Sequence, residues 1–97
     1  MSKKYSVDEV QNALRGLSGW RKVENRDAIF KSFKFTSFQA AFKFMTETAL
    51  LAEKMDHHPE WFNVYSRLDV TLTTHSAKGV TELDIKLAKA MDLLAIG

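Results

Sequence analysis

Two adjacent histidines, His57 and His58, are the residues of this sequence best suited to chemistry. The only proline of the chain, Pro59, follows them directly, and the third histidine, His75, stands at the end of a stretch in which polar and apolar residues alternate. Histidine has the side chain whose unperturbed pKa lies closest to neutral pH. If the fold gathers the three imidazoles around one helix-to-strand junction, they can act as general acids and bases, so the pattern predicts proton transfer.

The histidine pair lies at the end of a predicted helix, where unpaired carbonyl groups carry partial negative charge. Two carboxylates in the last turn, Glu53 and Asp56, add to that charge. Both effects favour the imidazolium form of a nearby histidine, which is the form that a general acid must hold before it gives up a proton. Glu53 and Asp56 are therefore candidates for orienting or charging the two histidines.

Other interpretations of these residues stay open. Three histidines can hold a zinc ion, although adjacent side chains point in divergent directions and no further ligand motif supports such a site. Ser76 could act as a nucleophile beside His75, but no nucleophile elbow surrounds it. The histidines could also be purely structural and hydrogen-bonded in turns. Trp61 is an apolar anchor or a stacking platform, and Asp84 is the capping carboxylate of the last helix or a catalytic base.

The first part of the chain predicts a helix followed by two strands. A capping box at residues 6–9 begins a short helix of about residues 7–15, which Gly16 would end in a left-handed conformation. Residues 20–23 and 29–35 then have the composition of two strands joined by a turn, which predicts a hairpin.

A longer helix follows, capped by Thr36 or Ser37 and running to about Met55. Its apolar stripe at helical spacing predicts a buried face made of Phe38, Ala41, Phe42, Met45, Ala49 and Ala52. Pro59 prevents the helix from continuing and favours an extended backbone at His58.

The last part predicts two further strands and a third helix. Residues 62–74 alternate, and one parity contains the apolar residues Phe62, Val64, Leu68, Val70 and Leu72. A two-residue turn at Ser66 and Arg67 would divide this run into a hairpin. After a loop, a capping box at residues 81–84 begins a helix whose apolar face contains Leu83, Leu87, Met91 and Leu94. Exposed residues on that face, such as Leu87, Met91 and Leu94, are expected to serve self-assembly or partner binding.

The order α-β-β-α-β-β-α predicts an α+β fold, a four-stranded antiparallel sheet with helices packed on one face. The 97 residues suit a single domain, residues 1–97. Apolar residues make up 45% of the chain and charged residues 27%, which is typical of a globular protein with one core. Because the sequence has no cysteine, disulfides and thiolate metal sites are excluded, and a reducing compartment such as the cytoplasm or nucleus is expected.

Charge and hydropathy argue against two classes of partner. Fourteen basic residues are interleaved with twelve acidic ones and the net charge is only +2, so direct nucleic-acid binding is not expected. The longest apolar stretches are far too short to span a membrane. Residues 1–5 are followed by polar residues rather than by an apolar segment, so no secretory signal is expected.

The spacing of the histidines is part of a longer motif, Glu53-x3-His57-His58-Pro59-x5-Tyr65-x9-His75-x8-Asp84. This motif resembles that of the pterin-4a-carbinolamine dehydratase family, which is also known as the dimerisation cofactor of a homeodomain transcription factor. Residues 52–65, 71–75 and 83–88 resemble the animal version of the family almost residue for residue. The resemblance extends over about residues 6–92.

The resemblance implies loss of water from 4a-hydroxytetrahydropterin to give quinonoid dihydropterin, in pterin recycling after aromatic amino-acid hydroxylation, without a metal or other cofactor. By resemblance, His57 and His75 protonate the departing hydroxyl, one for each stereoisomer, while His58 holds the pterin. Pro59 and residues 74–77 would wall the ring. The predicted catalytic residues are His57, His58, His75 and Asp84. The predicted substrate-binding residues are Glu53, Asp56, His57, His58, Pro59, Trp61, Thr74, His75, Ser76 and Ala77.

Two positions depart from the animal members of this family. Leu83 replaces the arginine that usually precedes the aspartate, which removes a cation near the pocket and affects how Asp84 is held. Ala77 replaces a cysteine, with no effect expected on the chemistry. The resemblance also implies assembly into dimers or tetramers through strand edges and helices. It implies an alternative function as a non-catalytic interaction module, in which the helical surface rather than the histidines binds a transcription-factor dimerisation helix.

Overall fold

The computed structural model describes residues 2–96, so the first and last residues of the predicted domain lie outside the described residues. The elements are, in chain order, α1 (Val7–Arg15), β1 (Arg21–Lys22), β2 (Ile29–Lys34), α2 (Phe38–Met55), β3 (Glu60–Val64), β4 (Arg67–Leu72), a short 3-10 helix (His75–Ala77) and α3 (Glu82–Ile96). This order confirms the predicted α-β-β-α-β-β-α arrangement. Within residues 2–96, no helix is long and apolar enough to cross a membrane.

The four strands form one antiparallel sheet in the order β1-β2-β4-β3, as expected for an α+β fold. Ile29 pairs with Leu72, and Phe33 pairs with Leu68. Directly opposite residues point to the same face of a sheet, so these four side chains lie together. They form the core with buried residues of the three helices, which pack on this face. Burial of each large apolar side chain contributes about 2 kcal/mol.

The start of α1 is the predicted capping box, but its end differs from the prediction. Ser6 Oγ accepts a hydrogen bond from the N–H of Glu9 (3.1 Å), and Glu9 Oε1 accepts one from the N–H of Ser6 (2.8 Å). The left-handed end predicted at Gly16 is wrong, because its φ is −90°. The N–H of Gly16 donates to the carbonyl of Ala13, so the last turn tightens and stays right-handed. The left-handed glycine is Gly19, with φ +84°.

The buried face of α2 differs from the predicted stripe and consists of Ala41, Phe44, Thr48 and Ala52. Phe38 and Phe42 are 44% and 54% exposed and stack on each other, with ring centroids 5.7 Å apart. Ala49 is also exposed. Phe44 packs against Phe33 of the sheet at a centroid distance of 4.9 Å. The helix carries two apolar stripes at helical spacing, and the sheet covers only one of them.

The β3–β4 hairpin turns at Tyr65 and Ser66, one residue before the predicted turn. Val64 pairs with Arg67 across it. A two-residue turn exchanges odd and even positions between the paired strands. The apolar residues of β3 and β4 therefore face opposite sides of the sheet, although they share one parity in the sequence. Phe62 and Val64 are exposed on the uncovered face. The fully buried apolar residues of β4 are Leu68, Val70 and Leu72.

The predicted apolar face of α3 belongs to the core except at Leu83, which lies outside the core cluster. Leu87 and Met91 are fully buried, and Leu94 packs half-buried against the same cluster. The expectation that these residues are exposed for assembly is wrong, because the core of the protein covers them. The large exposed apolar residues of α3 are Leu93 and Ile96.

Candidate active site

The chain reverses direction sharply at the end of α2, directly before the two adjacent histidines. Asp56 adopts the left-handed conformation, with φ 52° and ψ 43°. The N–H of His57 donates to the carbonyl of Ala52 (3.0 Å), and the N–H of Asp56 donates to the carbonyl of Glu53 (3.1 Å). This pair of bonds is the Schellman arrangement that ends many helices. It turns His57 inward, so that only 7% of the residue is exposed.

His57 is held by the buried carboxylate of Asp84, whose Oδ1 lies 2.6 Å from Nε2 of the ring. Asp84 is the third residue of α3, and its Oδ2 accepts hydrogen bonds from the N–H of Thr81 (2.9 Å) and from the hydroxyl of Thr74 (2.8 Å). Position near a helix N-terminus favours a negative charge there. Asp84 therefore combines the capping contact with a contact to a histidine, and the two interpretations open at the sequence level coexist.

His75 is held by a second carboxylate, Glu60, at a distance of 3.0 Å from Nε2 to Oε2. Arg26 donates two bonds to the same carboxylate, from Nη1 to Oε1 (2.7 Å) and from Nη2 to Oε2 (2.9 Å). These contacts lower the pKa of Glu60 to about 2. The hydrogen bonds from Arg26 make the largest contribution to this shift, and the bond from His75 makes the next largest. The carboxylate in turn raises the pKa of Arg26. The ion pair therefore stays charged at neutral pH.

The third histidine, His58, makes the same kind of contact at the surface. Its Nε2 lies 2.6 Å from Oε1 of Glu53, and both side chains are mostly exposed. All three histidines thus use Nε2 to bond a carboxylate. A carboxylate that is ionised only accepts hydrogen bonds, so such a contact places the ring proton on Nε2 and leaves Nδ1 for a ligand or solvent.

The three histidines line one surface pocket of about 310 Å³. Its walls are Asp56, His57, His58, Pro59, Glu60, Thr73, Thr74, His75, Ser76 and Leu83. Seven of these were predicted as site residues from the sequence. Of the other predicted residues, Trp61 packs against the core, Asp84 lies buried behind His57, Glu53 bonds His58, and Ala77 lies in the short 3-10 helix outside the lining.

Sequence reasoning missed two residues of the pocket lining, Glu60 and Thr73. It also missed Arg26, which bonds the carboxylate of Glu60. Glu60 directly follows Pro59, inside the segment that drew attention, but its partner lies 34 residues earlier in a turn. Nothing in the local pattern of residues 25–27 indicates that contact. Leu83 lines the pocket, so an apolar side chain stands at the position where the resemblance led us to expect an arginine.

The arrangement suits acid–base chemistry on a small ligand. In the imidazolium form Nδ1 donates a proton, and in the neutral form with a proton on Nε2 it accepts one. Each ring can therefore exchange a proton with a ligand at one defined atom. Within the described part of the chain, no cluster of three His, Cys, Asp or Glu side chains has the geometry to hold a metal ion.

Glu60→Gln is expected to make stability less dependent on pH in acid. A carboxylate whose pKa is lowered by folding adds stability above its unfolded pKa, near 4.5, and loses this contribution as pH falls through its folded pKa, about 2. The variant lacks that contribution at neutral pH, so its stability should decline less steeply between these values. Since the Glu60 side chain is 38% exposed, solvent screening keeps the difference small. Urea denaturation at a series of pH values measures it.

The control for this measurement is Glu47→Gln, on an exposed position of α2. Its acid dependence should follow that of the unmodified protein. Equal acid dependence in Glu60→Gln and the unmodified protein would contradict the assignment of the lowered pKa to Glu60.

Comparison with known proteins shows a family and several similar sequences. The sequence profile described as Pterin 4 alpha carbinolamine dehydratase matches residues 3–94. A Brucella ovis protein named "Putative pterin-4-alpha-carbinolamine dehydratase" is 62% identical over 87 residues, which cover 90% of each chain. A Brucella canis protein of the same name has the same identity and coverage.

Two solved structures are also similar. The crystal structure of a transcriptional coactivator/pterin dehydratase from Brucella melitensis has a TM-score of 0.95 and 58% identity, and the match covers 96% of this chain and 99% of that one. A pterin dehydratase-like protein, identified as a RuBisCO assembly factor in the alpha-carboxysome, has a TM-score of 0.69 and 26% identity, covering 79% and 89% of the two chains. With a profile match over nearly its whole length and relatives at this identity, the chain belongs to the pterin 4 alpha carbinolamine dehydratase family.

Proposed function

We propose that this protein dehydrates 4a-hydroxytetrahydrobiopterin, a pterin-4a-carbinolamine, to quinonoid dihydrobiopterin and so takes part in tetrahydrobiopterin recycling. The observation that carries the proposal is the meeting of His57, His58 and His75 in one pocket, with a carboxylate on Nε2 of each ring. Membership of the family supports the class of substrate.

The proposed reaction needs one acid and one base. The C4a–O bond of the substrate breaks, and the hydroxyl leaves poorly unless it is protonated. An imidazolium donates its Nδ1 proton to the hydroxyl oxygen, which departs as water, while the lone pair of the adjacent ring nitrogen forms the C=N double bond. A neutral imidazole then takes the proton from that nitrogen, so the products are quinonoid dihydropterin and water.

The proposed roles of the histidines follow from where each ring is held. His57 and His75 act as the acids, one for each stereoisomer of the substrate, because they come from different segments and are supported by separate carboxylates. His58, at the exposed rim, holds the pterin. Pro59, Leu83 and the segment of residues 74–76 wall the flat ring, with apolar contacts from the first two.

A stopped-flow measurement with chemically generated 4a-hydroxytetrahydrobiopterin tests the proposal. The protein should accelerate the loss of water with saturation kinetics, above the spontaneous rate in the same buffer. Heat-unfolded protein is the control and should leave the spontaneous rate unchanged. A rate with native protein equal to that in buffer would reject the dehydratase function.

A second proposal concerns assembly and partners. We infer that the chain forms a homodimer or homotetramer. We also infer that it acts as a coactivator, in which an exposed helical surface binds a transcription-factor dimerisation helix. Three large apolar side chains of α2 are exposed, Phe38, Phe42 and Leu50, and strand β3 forms an edge of the sheet with Phe62 and Val64 exposed. Exposed apolar surface and unpaired strand edges favour association. The relative described as a transcriptional coactivator supports the partner role.

Sedimentation velocity with and without a candidate dimerisation peptide separates these roles. Assembly predicts a mass of two or four chains, reduced by Phe42→Glu but not by Lys43→Glu on the same helix. A monomer at all concentrations would reject assembly, and an unchanged mass distribution with peptide would reject the coactivator role.

We propose the cytoplasm as the site of dehydration, and the nucleus as well where a transcription factor is bound.

A further inference from the structure

We infer that Arg26 and Glu60 are positioning residues for His75: Arg26 clamps the carboxylate of Glu60, and Glu60 fixes the ring of His75 and the nitrogen that carries its proton. The inference rests on the proposed dehydratase function, because that function gives His75 a proton to transfer. It extends the site beyond the pocket lining to the turn between β1 and β2, which contains Arg26.

The geometry of the Glu60 carboxylate is fixed from both ends. On the backbone side, Glu60 is the first residue of β3 and pairs with Thr71 of β4. On the side-chain side, the two parallel bonds from Arg26, at 2.7 and 2.9 Å, hold the plane of the carboxylate. Such bidentate pairs give geometric specificity as well as energy. One oxygen, Oε2, then accepts from both Arg26 and His75.

The turn that carries Arg26 is itself anchored beside His75. The carbonyl of Asp27 accepts a hydrogen bond from the hydroxyl of Thr73, at 2.9 Å, and Asp27 Oδ1 accepts one from the N–H of Val80, at 3.4 Å. These contacts lie on either side of the short 3-10 helix that contains His75. The guanidinium is therefore presented to Glu60 from a segment that is tied to the same local structure.

His75 needs this support because its side chain is 75% exposed. Among the described residues, Glu60 is the only side chain that hydrogen-bonds its ring. An exposed imidazole without a fixed partner rotates and exchanges its proton between Nε2 and Nδ1. An ionised carboxylate accepts only, so it selects the form with the proton on Nε2 and leaves Nδ1 free for the substrate. The low pKa of Glu60 keeps the carboxylate ionised throughout the neutral range.

The support of His75 differs from that of His57 in a way that makes it testable. Asp84, which holds His57, is buried and caps α3, so its removal disturbs the fold as well as the site. Arg26 and Glu60 have side chains that are 47% and 38% exposed. Replacement of either should leave the protein folded, so an effect on the rate can be attributed to the site.

The test compares Glu60→Gln, Arg26→Ala and Arg26→Lys with Asp69→Asn and Arg67→Ala, an acid–arginine pair on the open face of the sheet. In the stopped-flow assay, Glu60→Gln should lower kcat by about tenfold with KM changed by less than about twofold, because an amide can donate as well as accept and no longer selects one tautomer. Arg26→Ala should lower kcat by about threefold, and Arg26→Lys by less, because it keeps the charge but not the fork. The two control variants should match the unmodified protein.

A second readout needs no turnover. Nitrogen-15 NMR of the His75 ring, at about pH 9 where free imidazole is neutral, reports which nitrogen carries the proton. The unmodified protein and both controls should show the proton on Nε2, whereas Glu60→Gln should show a mixture. Unchanged kcat in Glu60→Gln and Arg26→Ala, or a His75 ring that keeps its proton on Nε2 without the carboxylate, would overturn the inference.

The two readouts also separate failure of this inference from failure of the proposed function. If the unmodified protein does not accelerate dehydration, the dehydratase function is rejected, and the NMR result alone decides whether Glu60 positions His75. A mixture of tautomers in Glu60→Gln then supports the positioning, and a single one overturns it.

Discussion

Replacement of His57 or His75 by alanine is expected to lower the rate of dehydration by about 10²-fold or more. Each variant removes one imidazole that lines the pocket and is held by a carboxylate through Nε2, and with it the proposed acid for one stereoisomer. With each stereoisomer supplied separately, the loss should fall mainly on one of the two in each variant. Single-turnover stopped-flow traces at saturating substrate measure this step directly.

The control for these variants is Asn12→Ala, on the exposed side of α1 and bonded only to Arg15 among the described side chains. It should dehydrate the substrate at the unmodified rate. Native protein that accelerates the reaction while both histidine variants remain equally fast would contradict the assignment of the two rings as acids. Far-UV circular dichroism of each variant shows whether a slower rate reflects loss of fold instead.

Asp84→Ala is expected to lower the free energy of unfolding by roughly 3 kcal/mol. The variant leaves two buried donors without their acceptor, the N–H of Thr81 and Nε2 of His57, and leaves the hydroxyl of Thr74 with Thr81 Oγ1 as its remaining partner. Because these donors are shielded from water, solvent cannot replace the lost bonds as it does at the surface. Urea denaturation at neutral pH, followed by tryptophan fluorescence, gives the difference.

Asp69→Ala is the matched control for this loss. Asp69 also accepts two contacts, from the hydroxyl of Ser32 (2.7 Å) and from Arg67 (3.4 Å), but it lies on the open face of the sheet. Its replacement should cost less than about 1 kcal/mol. If the two aspartate variants unfold at the same urea concentration, the buried network does not stabilise the fold as we infer. Asp84→Asn, which keeps the volume but not the charge, should lose less stability than Asp84→Ala.

The order of elements could be predicted from the sequence because its signals are local. The capping box at Ser6, the stop at Pro59 and the alternation of β4 each depend on residues within one helical turn or one strand. The same holds for the pocket: His57 and His58 stand beside the end of α2, and His75 directly follows the sheet. Antiparallel pairing then brings those ends together.

The errors arose where one local pattern allows two arrangements. α2 carries apolar residues on two stripes, and only contact with the sheet decides that Phe44 rather than Phe42 is buried. In the second hairpin, one alternation runs through both strands, but the two-residue turn exchanges odd and even positions, so Phe62 faces away from Leu68. The clamp of Arg26 on Glu60 joins a turn to a strand 34 residues away, and no spacing rule connects them.

The double role of Asp84 bears on how relatives of this chain should be interpreted. A carboxylate at this position accepts hydrogen bonds from two buried groups at the start of α3. It therefore stabilises any protein with this fold, whether or not that protein is an enzyme. Its presence in another sequence is therefore a mark of architecture. Under the proposed mechanism, the more informative marker of catalysis is His57, whose ring bonds Asp84 without contributing to the cap. We expect a relative without the dehydratase activity to keep the aspartate but to replace the histidine by another side chain that donates a hydrogen bond to it.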